Sequence, residues 1–198
     1  MALELSCFTR PRAGQSGGSD RCGWWKTAGR IVMAVVDGRE PEPGHAAEIA
    51  IACIGARLDR SIEETFAACD IRLRNRSGVS MAVAVMDTNS GRVTAASVGS
   101  VSAVLLLGTA DYHLACTRGV VGGGYGRLKP TTRTLSSGDV LALYSDGVQA
   151  FFPLRDALAK TQATAGDQAG SLLERWADAN ADAAVLIYRH EAAALCQH

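Results

Sequence analysis

Apolar and polar positions repeat with different periods in successive stretches of the chain, and each period predicts a different element. Ile31 to Val36 is an unbroken aliphatic run, the pattern of a strand covered on both faces, and it stops at Asp37-Gly38. Ahead of it, Leu3 to Phe8 suits an edge strand and Cys22 to Lys26 a short aromatic one. Between them lies a Gly/Ser-rich loop, Arg10 to Asp20, in which Pro11 bars a helix. From His45 to Leu58 the period becomes helical: Ala47, Ile51, Ile54 and Leu58 share one stripe while Glu48 and Arg57 face away. Ser61 with Glu64 three places on makes a capping box, and Ile62, Phe66, Cys69 and Leu73 continue a second amphipathic helix.

After Gly78 the period of strands returns. Met81 to Met86, Arg92 to Val98 and Val101 to Leu107 are separated by Thr88-Asn89-Ser90-Gly91 and Gly99-Ser100, turn chemistry that predicts an antiparallel meander. A strand around Tyr112 to Cys116 precedes the run Gly122 to Gly126. That run lacks the Lys-Ser/Thr of a phosphate-binding loop and is expected to be a flexible flap. Arg133 to Leu135 and Val140 to Tyr144 flank Ser136-Ser137-Gly138-Asp139 as a further hairpin, which ends at Ser145-Asp146-Gly147. Helical stretches near Leu154 to Thr161 and Gln168 to Ala177 lead to a last strand, Ala183 to Tyr188. Strands and helices are segregated, so the fold class is α+β, with sheets packed together and helix pairs on their outer faces.

Composition narrows the setting. A chain of 198 residues fits one domain, here 1–190 followed by a tail, 191–198. A hydrophobic content of 47% against 20% charged residues supplies a packed core rather than a disordered chain. Equal numbers of basic and acidic residues, twenty each, leave no global field to draw the protein to nucleic acid or an anionic membrane. No apolar run approaches the roughly 20 residues that span a bilayer. Glu4 interrupts the first apolar stretch with no basic segment ahead of it, which argues against a signal peptide. A cytoplasmic monomer is expected. Cys7, Cys22, Cys53, Cys69, Cys116 and Cys196 form no C-x-x-C pair and are expected to be reduced, mostly buried thiols.

Candidate chemistry gathers where strands end. Asp37 and Asp146 each close an aliphatic run and are each followed by glycine, which lets the chain turn sharply and leaves the carboxylate pointing out of the sheet end. Such oxygen ligands suit Mg²⁺ or Mn²⁺, whose sites use few carboxylates and complete the shell with water. Asp20, after Gly17-Gly18-Ser19, and Asp182, before the last strand, are further carboxylates. His45 opens a helix near Asp37 and could donate to a phosphate or leaving oxygen, or could simply cap or pack. His113, His190 and His198 read as surface residues. Ser145 is outside a Gly-x-Ser-x-Gly elbow and is not a hydrolase nucleophile. Trp24 and Trp25 are expected on the core, with one able to face a partner.

The ordered series Gly18-Ser19-Asp20, Val35-Val36-Asp37-Gly38, Gly44-His45-Ala46, Arg76-Ser77-Gly78-Val79-Ser80-Met81, Ser97-Val98-Gly99, Ser136-Ser137-Gly138-Asp139, Ser145-Asp146-Gly147 and Asp182-Ala183-Ala184-Val185-Leu186 resembles the bacterial metal-dependent serine/threonine phosphatases of the PPM superfamily, in the SpoIIE and RsbX branch. The resemblance implies a four-layer α-β-β-α sandwich of two mainly antiparallel sheets, with two Mn²⁺ or Mg²⁺ ions at one end. In that arrangement Asp37 would bridge both metals, the Gly38 carbonyl would serve the second, Asp146 the first, and Asp20 would lie near the outer one. The cations would activate water for in-line attack on phosphorus without a covalent intermediate. The implied substrate is a phosphorylated STAS-type or stressosome-type regulator in a stress-signalling partner switch.

Two departures from the family pattern stand out. Arg39-Glu40-Pro41-Glu42-Pro43 separates Gly38 from Gly44-His45, where the family has a compact loop. Ala181 occupies the position of a first-metal ligand, so Asp182 or Asp178 would have to substitute. The alternative function is therefore a catalytically impaired pseudophosphatase that binds a phosphorylated partner.

Overall fold

A computed structural model describes residues 4–39, 45–149, 153–160 and 165–191. The chain forms β1 (Glu4–Arg10), β2 (Arg21–Thr27) and β3 (Arg30–Gly38), then α1 (His45–Gly55) and α2 (Ile62–Leu73). Strands β4 (Val79–Asp87), β5 (Arg92–Val98), β6 (Ser102–Leu107) and β7 (Ala110–His113) follow. Short strands β8 (Cys116–Thr117), β9 (Gly119–Val120) and β10 (Gly124–Tyr125) precede β11 (Thr131–Thr134) and β12 (Val140–Tyr144). Helices α3 (Leu154–Lys160) and α4 (Ala165–Trp176) and strand β13 (Ala183–Arg189) complete it.

One sheet runs β1-β13-β12-β6-β7; the other runs β11-β5-β4-β3-β2, with β8 beside β5. Strict alternation along β3 explains why it can sit between layers. Ile31, Met33 and Val35 face the opposite sheet and join Ala82, Met86, Leu105, Leu141 and Leu186, while Val32, Ala34 and Val36 face α1 and α2. On the far side Val104, Ala142, Val185 and Ile187 of the first sheet pack on Leu154, Leu158, Leu172 and Leu173 of α3 and α4. The layers are therefore α-β-β-α, as the resemblance implies.

Local signals explain the helix limits. The Ser61 hydroxyl accepts from Glu64 N–H at 3.1 Å and the Glu64 carboxylate accepts from Ser61 N–H at 3.0 Å, closing the capping box that starts α2. α1 stops at Gly55, short of Leu58, and its last residue lies against the Trp25 indole. A Cβ on Gly55 would lie 3.1 Å from the Trp25 ring nitrogen. Trp25 packs on the helix-side core, whereas Trp24 is 42% exposed.

Several expectations need correction. β4 and β5 are the hairpin the turn residues predict, but Gly99-Ser100 carries the chain out of one sheet into the other, so β6 pairs β12 rather than β5. Ser136 to Asp139 does the same between β11, which pairs β5, and β12. The glycine run is tied down: Val121 exchanges backbone hydrogen bonds with Val79 at 2.9 and 3.0 Å, and Gly122 N–H donates to Asp70 Oδ1 at 2.8 Å. His190 is buried against the Tyr188 hydroxyl, 3.0 Å away, rather than lying on the surface. Cys7 and Cys22 are joined in a disulfide, whereas Cys53 and Cys69 are buried free thiols and Cys116 is an exposed one. The insertion residues 40–43, Gly44, His198 and the tail from 192 lie outside the described residues. Among the described residues no helix is long and apolar enough to cross a membrane.

Candidate metal centre

β3 is paired over its whole length, with Asp37 opposite Ser80 and Gly38 opposite Val79, so Asp37 is delivered rigidly to the sheet end. Ser100 follows Gly99, whose φ is +87° and where a Cβ would also run into Ser80. The Ser100 hydroxyl donates to Asp37 Oδ2 at 2.8 Å and lies 3.1 Å from Ser80 Oγ. Two hydroxyls thus fix the orientation of one carboxylate.

Asp20 arrives from the other direction, at the end of the loop between β1 and β2. Asp182 clamps that loop: its Oδ1 accepts from Arg12 N–H at 2.8 Å, and its Oδ2 accepts from Ser19 N–H at 2.8 Å and the Ser19 hydroxyl at 2.7 Å. The Ser19 carbonyl then rests on Gly38, where a Cβ would be only 2.6 Å from it. Asp20 is 3% exposed, and its Oδ2 has no hydrogen-bond partner. An orphaned buried carboxylate oxygen is costly unless something completes it.

Asp146 stands in the turn after β12, closed by Val148 N–H to Ser145 O at 3.2 Å, and is exposed. Ser145 is fully buried, and its Oγ accepts from Ala184 N–H at 2.9 Å, which anchors the turn to β13. Gly147 lies in a turn as expected, whereas Gly38 does not, and both glycines have a further reason. Gly38 remains in β3, and neither Gly38 nor Gly147 has positive φ. Each instead admits a neighbouring backbone: Ser19 over Gly38, and the Asp182 carbonyl over Gly147, where any Cβ would collide.

The carboxylates feel one another. Burial pushes the Asp20 carboxyl up to about 7, with the charges of Asp37, Asp182 and Asp146 adding to it and the Ser145 hydroxyl opposing. Burial likewise raises Asp37, the Ser100 hydroxyl counteracts it, and the Asp146 charge raises it further. Burial works against ionisation of Asp182 too, but the donors from Ser19 and Arg12 outweigh it and hold that carboxyl below its usual range.

The chemistry of the neighbouring carboxylates of Asp20, Asp37 and Asp146, with one Asp20 oxygen buried and lacking a partner, suits a hard divalent cation. Among the described residues no group of three or more His, Cys, Asp or Glu side chains is placed to hold a metal ion as it stands, so these carboxylates would have to rely largely on water to complete a shell, as Mg²⁺ sites commonly do. Asp182 is spent on the loop. Asp178 is exposed, and its Oδ1 accepts from Asn180 N–H at 2.8 Å. His45 is exposed at the start of α1 with Nε2 2.9 Å from Arg76 Nη1. Ser100 and Ser80 are neighbours of Asp37 that residue type alone did not single out. The available signal was Gly-Ser at the strand end beside Asp37.

The family model for Stage II sporulation protein E (SpoIIE) matches residues 45–191. The chain belongs to the SpoIIE family. The match agrees with the SpoIIE resemblance carried by the order of the motifs. A protein solved in work on the bacterial stressosome, as a modular system adapted to control secondary messenger signalling, is 30% identical with a TM-score of 0.89. That match covers 96% of this chain and 100% of the other. RsbX in complex with magnesium is 17% identical, with a TM-score of 0.82 over 94% of each chain. The phosphatase domain of SpoIIE from Bacillus subtilis, with a fragment of its regulatory domain, is 15% identical with a TM-score of 0.79; the match spans 96% of this chain and 64% of that one. The last two likenesses are of fold. No curated protein sequence matches the chain.

Proposed function

We propose that this SpoIIE-family chain uses divalent cations to remove phosphate from serine or threonine of a STAS-type regulatory protein in a stress-signalling partner switch. The observation that carries the reading is the meeting of Asp20, Asp37 and Asp146 at one end of the sandwich, with a buried Asp20 oxygen left without a partner. The likeness to a stressosome-related structure supports the substrate class.

The ions, held by Asp37, the Gly38 carbonyl, Asp146 and Asp20, would supply a water of lowered pKa and positive charge against the phosphoryl oxygens. The chain's own residues prepare for this. Ser100 and Ser80 orient Asp37. Asp182 draws the Ser19-Asp20 segment onto Gly38 and so acts as a clamp rather than a ligand. Asp20 would hold a cation in its carboxylate form, so binding there would be coupled to loss of its proton. His45, paired with Arg76, would contact the phosphorylated partner. No side chain need act as nucleophile, and the Ser145 oxygen is buried and committed to Ala184 N–H.

Hydrolysis of p-nitrophenyl phosphate and of a phosphoserine protein with Mn²⁺ tests the reading, with EDTA and Asp37→Asn as controls. Cation-independent turnover, or an unaffected variant, contradicts it. Ala181 favours a second reading, a pseudophosphatase that binds a phosphoprotein without cleaving it. Calorimetric titration with Mn²⁺ separates the two, since a broken site takes up no metal.

A further inference from the structure

β1 and β2 lie in different sheets, and Cys7 and Cys22 join them across the open edge of the sandwich with Cα atoms 6.2 Å apart. The cysteines are 15 positions apart in sequence, and the loop they close ends in Ser19-Asp20. Apart from this bond the loop is fastened by a few polar contacts. Arg12 and Ser19 donate to Asp182, Ala13 N–H donates to Ala179 O at 2.7 Å, and the Ser19 carbonyl rests on Gly38. Cys7 and Cys22 are both half-buried and pack against the rim of the core between the sheets, unlike the fully buried Cys53 and Cys69.

We infer that Cys7–Cys22 is a reversible redox modification site that sets how firmly the loop 11–20 holds Asp20 at the metal centre. Its consequence for the enzyme rests on the phosphatase reading, while its chemistry does not. The reductant is a low-molecular-weight monothiol such as glutathione. One thiolate attacks a sulfur, breaking the Cys7–Cys22 bond and forming a mixed disulfide. A second displaces the protein thiol, leaving two protonated cysteines and one glutathione disulfide, a two-electron reduction. The oxidant is a peroxide: two cysteine thiols and one hydrogen peroxide give the disulfide and two waters. In the oxidised form the two sheet edges that flank the loop are covalently tied and Asp20 is preorganised. In the reduced form the covalent tie is lost, and the loop is held by non-covalent contacts, among them the hydrogen bonds to Asp182 and Ala179, those from the Arg21 guanidinium to the Gly18 and Asp20 carbonyls at 2.7 and 2.8 Å, and the contact with Gly38.

The full chain is equilibrated with reduced or with oxidised glutathione. Differential alkylation with peptide mass mapping then identifies the bonded pair, hydrogen exchange follows the peptide spanning 11–20, and calorimetry follows Mn²⁺. The expected result is a Cys7–Cys22 bond in oxidised glutathione only, slower exchange over 11–20 in that state, and Mn²⁺ binding tighter by about tenfold. Cys7→Ser/Cys22→Ser should match the reduced wild type in both buffers, with its thermal unfolding confirming a folded chain. Separate alkylation of Cys7 and Cys22 in oxidised glutathione, or equal exchange in the two states, overturns the inference. Different exchange with equal, measurable Mn²⁺ affinity overturns its link to Asp20. If neither state takes up Mn²⁺, the phosphatase reading fails, and the exchange comparison alone decides the redox site.

Discussion

The Ser19 carbonyl lies over Gly38 so closely that a Cβ on Gly38 would sit 2.6 Å from its oxygen. The loop bearing Asp20 and the strand bearing Asp37 are thereby brought together by the lack of a side chain at one position. Gly38→Ala should lift the Ser19-Asp20 segment, lower stability by about 1–3 kcal/mol, and weaken Mn²⁺ uptake. Gly17→Ala, which meets nothing within 4 Å, should change neither. Thermal unfolding and calorimetry of the two variants compare them directly.

Asp20 makes the cation-free protein sensitive to pH. Its carboxyl is raised from 3.8 to about 7, so the folded state holds a proton that the unfolded chain releases. Its stabilising contribution is therefore present below about pH 4 and is lost as pH rises through about 7. Chemical denaturation should show that Asp20→Asn flattens this fall, which amounts to at most about 4 kcal/mol. A saturating divalent cation should also cancel the fall, by replacing the proton.

Ser100 supplies the donor that opposes the rise of the Asp37 carboxyl. Ser100→Ala removes it, leaving Asp37 harder to ionise and free to rotate. Steady-state kinetics should show a cation concentration for half-maximal activity raised roughly 10-fold or more, while the fold survives with a loss of about 1 kcal/mol.

Asp182 and Ala181 should behave in opposite ways. Asp182→Ala strands the Ser19 N–H, the Ser19 hydroxyl and the Arg12 N–H, and should cost about 2–3 kcal/mol with loss of cation binding. Ala181→Asp restores a carboxylate at the position that the resemblance assigns to a metal ligand and should tighten Mn²⁺ by about tenfold. Titration calorimetry reads both, and a weakened Ala181→Asp would show that position 181 does not face the ion.

The elements themselves were largely legible in the sequence, because β3 is buried on both faces and α2 carries both halves of a capping box. Pairing between sheets was not. Gly99-Ser100 and Ser136 to Asp139 have the residues of a chain reversal, but local chemistry does not state which edge the next strand joins. Asp37, Asp146 and Asp20 were visible as acids at strand and loop ends. The work of Asp182 was hidden, since its partners Ser19 and Arg12 lie more than 160 positions away. The cysteines misled for a similar reason: spacing shows C-x-x-C pairs but not that the edges of two sheets bring Cys7 to Cys22.

The central claim is tested most directly by release of inorganic phosphate from a phosphoserine STAS protein, compared between wild type and Asp146→Asn at saturating Mn²⁺. The account requires cation-dependent release by wild type, abolished by EDTA and reduced at least about 100-fold in the variant. Equal release by both proteins, or undiminished release in EDTA, would contradict it.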